Sequence, residues 1–351
     1  MRSRLVLLLL VLFVTTLALW SVALPGASAQ TPGVIEGEVR PGPGATVDVD
    51  GVTVQLLGIR EGTRTVQETR TSGGRFRFEL PSVSGNATYI VRAEVEGVTY
   101  LAPTPVLLSP EVPAARVEIE VYASTTERPA LTSQATGLTV VFVDVRGSQL
   151  TLQREDLVVN PTARTWVGGA DGVTLHLPTL AGAQNLEGEA WYEGLPALGE
   201  FTLADSEVVA RVALRPGVTL VTTRFAVPFD LTTEVESLRL QAALPADTLQ
   251  LLVPQRFTRT LAAGTGGILG EPLTIEGERV LVVTSPGRVE AGAAIEARAG
   301  GLGGRLEPNA LAGRTGAVLG AVLALVIIAG GAHLASRASR PAAPPVAPEG
   351  A

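Results

Sequence analysis

Between residues 34 and 123, apolar side chains fall at every second position over short stretches. Val52, Val54 and Leu56 alternate with polar residues. So do Phe76, Phe78 and Leu80, then Tyr89, Val91, Ala93 and Val95, then Val117, Ile119 and Val121. A period of two sends successive side chains to opposite faces, so each stretch predicts a strand with one wet face. Pro41-Gly42-Pro43-Gly44, Ser72-Gly73-Gly74 and Ser84-Gly85-Asn86 punctuate them as turns. Short strands at this spacing predict a β-sandwich over residues 30–124.

A polar segment interrupted by Pro129 follows and reads as a linker over 125–134. A second β-rich region then runs over 135–299. Its candidate strands are 138–143, 150–159, 173–177, 189–192, 208–214, 219–228, 237–242, 249–253, 273–275 and 280–284. Asn160-Pro161, Gly168-Gly169, Arg215-Pro216-Gly217 and Ser285-Pro286-Gly287 are its turn signals. The stretch Ala299-Gly300-Gly301-Leu302-Gly303-Gly304 opens a Gly-rich, flexible spacer over 300–314. The expected fold is therefore all-β: two tandem β-sandwich domains.

The two ends carry a different pattern. Arg2 and Arg4 precede an apolar run from Leu5 to Leu19, and Pro25-Gly26 breaks it before Ala27-Ser28-Ala29. A basic, an apolar and a small-x-small segment in that order define a secretory signal over 1–29, with cleavage before Gln30. A second uncharged run spans 315–335. At about 1.5 Å per residue, about 20 residues cross a hydrocarbon core, which predicts a single transmembrane helix. Arg337 and Arg340 follow it in a Pro/Ala tail over 336–351. The expected topology puts the body outside the cell membrane and the tail in the cytoplasm. Gly316, Gly320 and Ala324 recur every four residues on one helix face, a spacing that permits close helix–helix contact.

The first β region resembles a carboxypeptidase regulatory-like domain. Val34-Ile35-Glu36-Gly37-Glu38-Val39 is similar to that family's opening strand, and Val52-Thr53-Val54-Gln55-Leu56 to its second. Thr71-Ser72-Gly73-Gly74-Arg75-Phe76-Arg77-Phe78 resembles its Gly-then-Phe turn and strand, with Leu80-Pro81 as the loop after it. Tyr89-Ile90-Val91-Arg92-Ala93 is similar to the next strand. The resemblance implies a prealbumin-like sandwich of seven strands and covers about a quarter of the chain. It implies no chemistry, because the regulatory-like domain accompanies peptidases without cleaving anything. Related adhesin domains carry a Lys–Asn cross-link, which a chain without lysine cannot form.

Composition narrows the rest. Hydrophobic residues make up 46% of the 351 but aromatics only 4%, so the core must be built from Val, Leu, Ile and Ala. There is no cysteine, which removes disulfides, thiolate metal sites and thiol nucleophiles. All 27 basic residues are Arg, and the net charge of -7 argues against a nucleic-acid partner.

Motifs for chemistry are absent. The chain has no G-x-S-x-G elbow, no H-E-x-x-H, no P-loop and no dinucleotide fingerprint. Gly264-Thr265-Gly266-Gly267 reads as a loop. The two histidines are His333, in the apolar run near the end, and His176, which the alternation in 173–177 turns to solvent. Asp48 with Asp50 (near Glu61), Glu94 with Glu96, and Glu118 with Glu120 read as wet strand faces rather than calcium ligands, since each set supplies too few oxygens. No cofactor or metal is implied, and the chain reads as a non-enzyme.

Trp166, Trp191 and Tyr192 are the aromatics outside the signal that could make a carbohydrate platform, and in a core with so few aromatics each reads first as a packing anchor. Trp191 and Tyr192 are adjacent and so face opposite sides of a strand; the exposed one, beside Glu193, is the candidate ligand contact. The expected function is a membrane-anchored envelope protein presenting a binding or structural module. The alternatives are a carbohydrate or peptide binder, and an accessory subunit of a membrane or cytochrome assembly complex. The oligomeric state is not legible in the sequence.

Overall fold

The computed structural model describes residues 31–302, apart from 61–62, 84–86, 170–171 and 231–232. The expected signal, the expected membrane helix with Gly316, Gly320 and Ala324, and the tail lie outside the described residues. Among the described residues there is no helix at all, and so none long and apolar enough to cross a membrane. The all-β expectation holds for the described residues, whose 25 strands form six sheets.

Two sheets enclose the first core. One has the order β4-β1-β8, from β1 (Gly33–Pro41), β4 (Arg75–Leu80) and β8 (Ala114–Val121). The other has the order β3-β2-β5-β6, from β2 (Thr53–Arg60), β3 (Thr63–Arg70), β5 (Thr88–Val95) and β6 (Val98–Leu101), with β7 (Val106–Leu107) also on β5. Ile35, Phe78 and Ile119 from the first sheet meet Val54, Val91 and Tyr100 from the second in one buried cluster. β1 runs antiparallel to β4 and parallel to β8. Its Gly37 faces Phe76, and a Cβ there would fall 2.2 Å from the Phe76 ring, so only glycine lets that ring lie across β1. Phe76 meets Phe78 edge-on, with ring centroids 5.9 Å apart.

The second region is organised around one long sheet of order β15-β14-β18-β11-β10-β20-β24-β22, with β23 on β24. Its three central strands are β10 (Thr132–Asp144), β11 (Gln149–Asn160) and β18 (Gly217–Pro228). β14 (Gln184–Tyr192) and β15 (Leu195–Ala197) form one edge. β20 (Leu249–Pro254), β24 (Glu278–Thr284), β22 (Ile268–Leu269) and β23 (Leu273–Ile275) form the other. Two three-stranded sheets lie on one face of this wall. β13 (Leu175–Pro178), β16 (Gly199–Ala204) and β17 (Glu207–Val212) close a core with Val158 and Val221. β19 (Val235–Gln241), β21 (Thr260–Ala263) and β25 (Ala294–Gly300) close another with Leu150, Leu152, Phe225 and Val227.

Register places all six of those wall residues on the same face. Between the two cores, still on that face, stand Arg154 and Asp156, each about as buried as the leucines beside them. Arg154 Nε donates to Asp156 Oδ2 at 2.7 Å and Nη2 to Oδ1 at 2.9 Å, and Nη1 donates to the Pro178 carbonyl where β13 ends. Thr136 Oγ1 donates to the same Asp156. The seam between the two small sheets is thus closed by a bidentate ion pair whose remaining polar atoms are bonded to backbone and hydroxyl.

Two boundaries and one acidic pair differ from the sequence reading. Ala299 and Gly300, read as the start of the spacer, belong to β25 and are buried between β19 and β21; small side chains let three strands pack closely there. β10 begins at Thr132, inside the expected linker, and Leu131 is already buried in the second region's core. Asp48 lies in an irregular segment and Asp50 in a turn rather than on a strand face. Asp48 caps the Asp50 N–H, and Asp50 accepts from the Gly73 N–H at 2.7 Å.

Candidate functional site

The adjacent aromatics separate as the alternation requires. Tyr192 is buried on the face that carries the cores, and Trp191 is half-buried on the opposite face. The two environments differ in kind.

Tyr192 belongs to the joint between the two regions. Its hydroxyl donates to the Pro216 carbonyl at 2.8 Å. The Arg215 guanidinium lies 5.1 Å from its ring centre and 4.6 Å from that of Tyr100, in the first region, and donates to the Thr99 carbonyl at 2.6 Å. A cation desolvated between two aromatic faces is well held. The Tyr100 hydroxyl lies 2.9 Å from Thr165 Oγ1 and donates to the Tyr122 carbonyl. Burial raises the phenols of Tyr192, Tyr100 and Tyr122 above their ordinary range, so all three are neutral. Backbone pairing completes the joint: β9 (Ser124–Thr125) runs parallel to β12 (Thr165–Trp166), and Trp166 is buried, with Arg128 over its ring. Tyr192 therefore serves packing, and Arg215, read in the sequence as turn punctuation, is its chief partner.

Trp191 stands on the other face of the wall. Along β14 the same face carries Glu189 and Glu187; across β18 it carries Leu220, Thr222 and Arg224; across β11, Leu157, Glu155 and Gln153. Exposure falls across these strands: Glu187 and Glu189 are open, Arg224 is half-buried, and Gln153 and Glu155 are buried. The polar groups are linked. Arg224 Nη2 donates to Gln153 Oε1 at 2.9 Å, Gln153 Nε2 donates to Glu155 Oε1 at 2.8 Å, and Arg224 Nη1 lies 3.8 Å from Glu187. Two polar atoms of the set have no partner, Glu155 Oε2 and Arg224 Nε. Burial raises the Glu155 carboxyl to about 7; the Gln153 hydrogen bond opposes this, and the charges of Asp156 and Glu189 add to it. The face thus presents acceptors beside an aromatic plane, over a carboxyl poised between its two protonation states near neutral pH. The sequence carried one signal for it: four consecutive polar residues, Gln153-Arg154-Glu155-Asp156, inside an apolar strand.

The remaining candidates are accounted for by local partners. His176 is exposed on β13, and its Nδ1 lies 2.7 Å from Glu207 on β17, the strand beside it. Glu118 and Glu120 pair with Arg40 at 3.0 and 2.8 Å. Glu96 does not share a strand face with Glu94: at φ 49 it occupies the β5–β6 turn. Its Oε2 accepts from the Ser124 N–H and hydroxyl, which hold its carboxyl below the usual carboxylate range. Among the described residues no group of three or more His, Asp or Glu side chains is placed to hold a metal ion.

No family model and no curated protein matches the chain. Among solved structures, the M1 zinc metallopeptidase of Deinococcus radiodurans is similar with a TM-score of 0.31 and 13% identity, over 50% of this chain and 43% of that one. A mutant of the same enzyme is similar with a TM-score of 0.32 and 15% identity, over 48% and 42%. The chain thus spans less than half the length of these neighbours, and a likeness of this size carries neither fold nor activity across.

Proposed function

We propose that this chain is a non-enzymatic, membrane-anchored protein of the cell envelope whose body, outside the membrane, presents a binding face. In this reading 1–29 is a cleaved signal, 315–335 is the anchor, and the first region is a carboxypeptidase regulatory-like sandwich. The second region is a sandwich-like body built on the long sheet. The observation that supports a binding module is the Trp191 face. An aromatic plane in line with Glu189 and Glu187, backed by Arg224 and Gln153, offers stacking and paired hydrogen-bond acceptors on a rigid wall. That chemistry suits the hydroxyl-rich faces of a carbohydrate, and the glycan reading is preferred to a peptide for the aromatic plane. The joint around Arg215 supports a stiff scaffold over a jointed one.

The test is a glycan and peptide array probed with the detergent-solubilised full chain, beside Trp191→Ala and Glu189→Gln. Glycan hits weakened at least tenfold by either substitution support the reading; hits indifferent to both, or no hits, refute it. Cell fractionation and protease accessibility test the anchor and the orientation.

The accessory-subunit reading has its own support. Ile268, Leu269 and Leu273 are exposed together on the two short strands that pair β24, an apolar edge suited to a protein partner. A stoichiometric protein co-purifying from native membranes, and lost on Leu269→Asp, would move the weight there.

A further inference from the structure

β3 ends its sheet. In the order β3-β2-β5-β6 no strand among the described residues lies beyond it, and Val66, at its middle, is 61% exposed. Parity decides which backbone groups are free. The Thr71 N–H donates to the Val52 carbonyl at 2.9 Å, so in this register the odd-numbered residues of β3 bond to β2. One strand further on, the same count makes the odd residues of β5 face β6, and the Ala102 N–H does donate to the Val91 carbonyl. Arg64, Val66 and Glu68 therefore turn their N–H and C=O groups outward.

An antiparallel partner must match outward residue to outward residue, which leaves few self-registers. Centring on Val66 sets Val66 opposite its own copy and Arg64 opposite Glu68 at both ends. Centring on Gln67 sets Arg64 opposite Arg70, and centring on Glu68 sets that carboxylate opposite itself. Centring on Thr69 sets Glu68 opposite Arg70 but overlaps only residues 68–70 of β3; among the longer overlaps only the Val66 register sets opposite charges against each other. Charged edge strands ordinarily repel pairing. Here the pattern is self-complementary, and β3 carries neither a proline nor a bulge over its eight residues.

The neighbouring side chains fit the same partner. Register aligns Val66 with Leu57 and then Ile90 on the outer face, an apolar row with Val66 exposed and Leu57 and Ile90 half-buried. A two-fold axis through Val66, normal to the sheet, joins this row to its copy on the same side.

We propose that two copies of this chain pair antiparallel through β3, centred on Val66, to form one continuous ten-stranded sheet. This is independent of the ligand face on β14.

The absence of cysteine makes the test clean. In a hydrogen-bonded antiparallel pair the two Val66 Cα atoms lie about 5.5 Å apart, within disulfide reach. Full-length Val66→Cys in detergent, oxidised with diamide, is expected to form a covalent dimer. Gln67→Cys puts its two Cα atoms about 8 Å apart, beyond disulfide reach, and is the control. Without cross-linking, sedimentation should give a dimer. Arg64→Glu should weaken it about tenfold, and Arg64→Glu with Glu68→Arg should restore it. Val66→Pro removes an outward N–H without touching the β2 ladder and should give monomer with the fold retained. A monomer at all concentrations, equal cross-linking of the two cysteine variants, or a dimer indifferent to the charge swap and to proline overturns the proposal.

Discussion

Glu155 sets up a measurable dependence of stability on pH. Its carboxyl is buried, one oxygen is bonded to Gln153 and the other to nothing, and its ionisation is moved from the ordinary 4.5 to about 7. At 1.36 kcal/mol per pH unit, that gap corresponds to about 3 kcal/mol. At 3% exposure, solvent screening removes little of it. The sign follows from proton binding. Below about pH 4.5 both the folded and unfolded states hold the proton, and nothing is lost. Between 4.5 and about 7 the unfolded chain ionises first, so folded stability falls as pH rises. Above about 7 the whole deficit is present. Glu155→Gln keeps the shape without the charge, so its advantage over the native protein should grow from near zero at pH 4 to about 3 kcal/mol at pH 8.5. Urea titrations of both proteins at several pH values measure it, and the difference between them cancels groups remote from Glu155. A difference that stays flat across this range, or that falls as pH rises, would refute the assignment of cost to this carboxyl.

The remaining predictions concern the frame. Asp156→Ala strands the Arg154 guanidinium in the seam and should cost about 3–5 kcal/mol in chemical denaturation, whereas Arg154→Met with Asp156→Leu should recover most of that. Arg215→Ala removes two cation–π contacts and the hydrogen bond to the Thr99 carbonyl, about 2–4 kcal/mol; calorimetry should show one unfolding transition become two. Gly37→Ala drives a methyl into the Phe76 ring and toward the Val117 carbonyl and should lower stability by about 1–3 kcal/mol, read as an earlier thermal midpoint.

The alternating strands were legible because each has one dry face: β4 reads exposed–buried without a break, and so do most of β2, β5 and β8. Strands without that contrast were not legible. β3 and β16 are wet on most positions of both faces, so no period of two marks them. β25 is hidden for the opposite reason: its buried positions include Ala297, Ala299 and Gly300, which carry too little apolar bulk to read as a core. The adjacent aromatics on β14 could be assigned to opposite faces from sequence. Which one was buried could not, because that depends on Arg215 and Tyr100, and Arg215 is 116 residues from its bonded partner Thr99. The state of Glu155 is equally remote, resting on the desolvation that tertiary burial imposes and on the charge of Glu189 from β14.

The two polar sets on β11 then have one explanation at two depths. A wall long enough to carry two small sheets on one face must pass under the gap between them, where neither core supplies apolar cover. Residues 153–156 cross that gap. On the covered face the gap is filled by a matched ion pair, Arg154 with Asp156, whose other partners are Thr136 on β10 and the end of β13, so the charges there tie β11 to its neighbours. On the opposite face Gln153 is bonded to both Arg224 and Glu155, and Glu155 is left one bond short, in line with the carboxylates of β14. A purely structural solution would have placed apolar side chains at 153 and 155, as at Leu157 on the same face. Retaining an incompletely satisfied carboxyl there costs stability at neutral pH, and that cost is the physical reason to look for binding on this face rather than on the closed one.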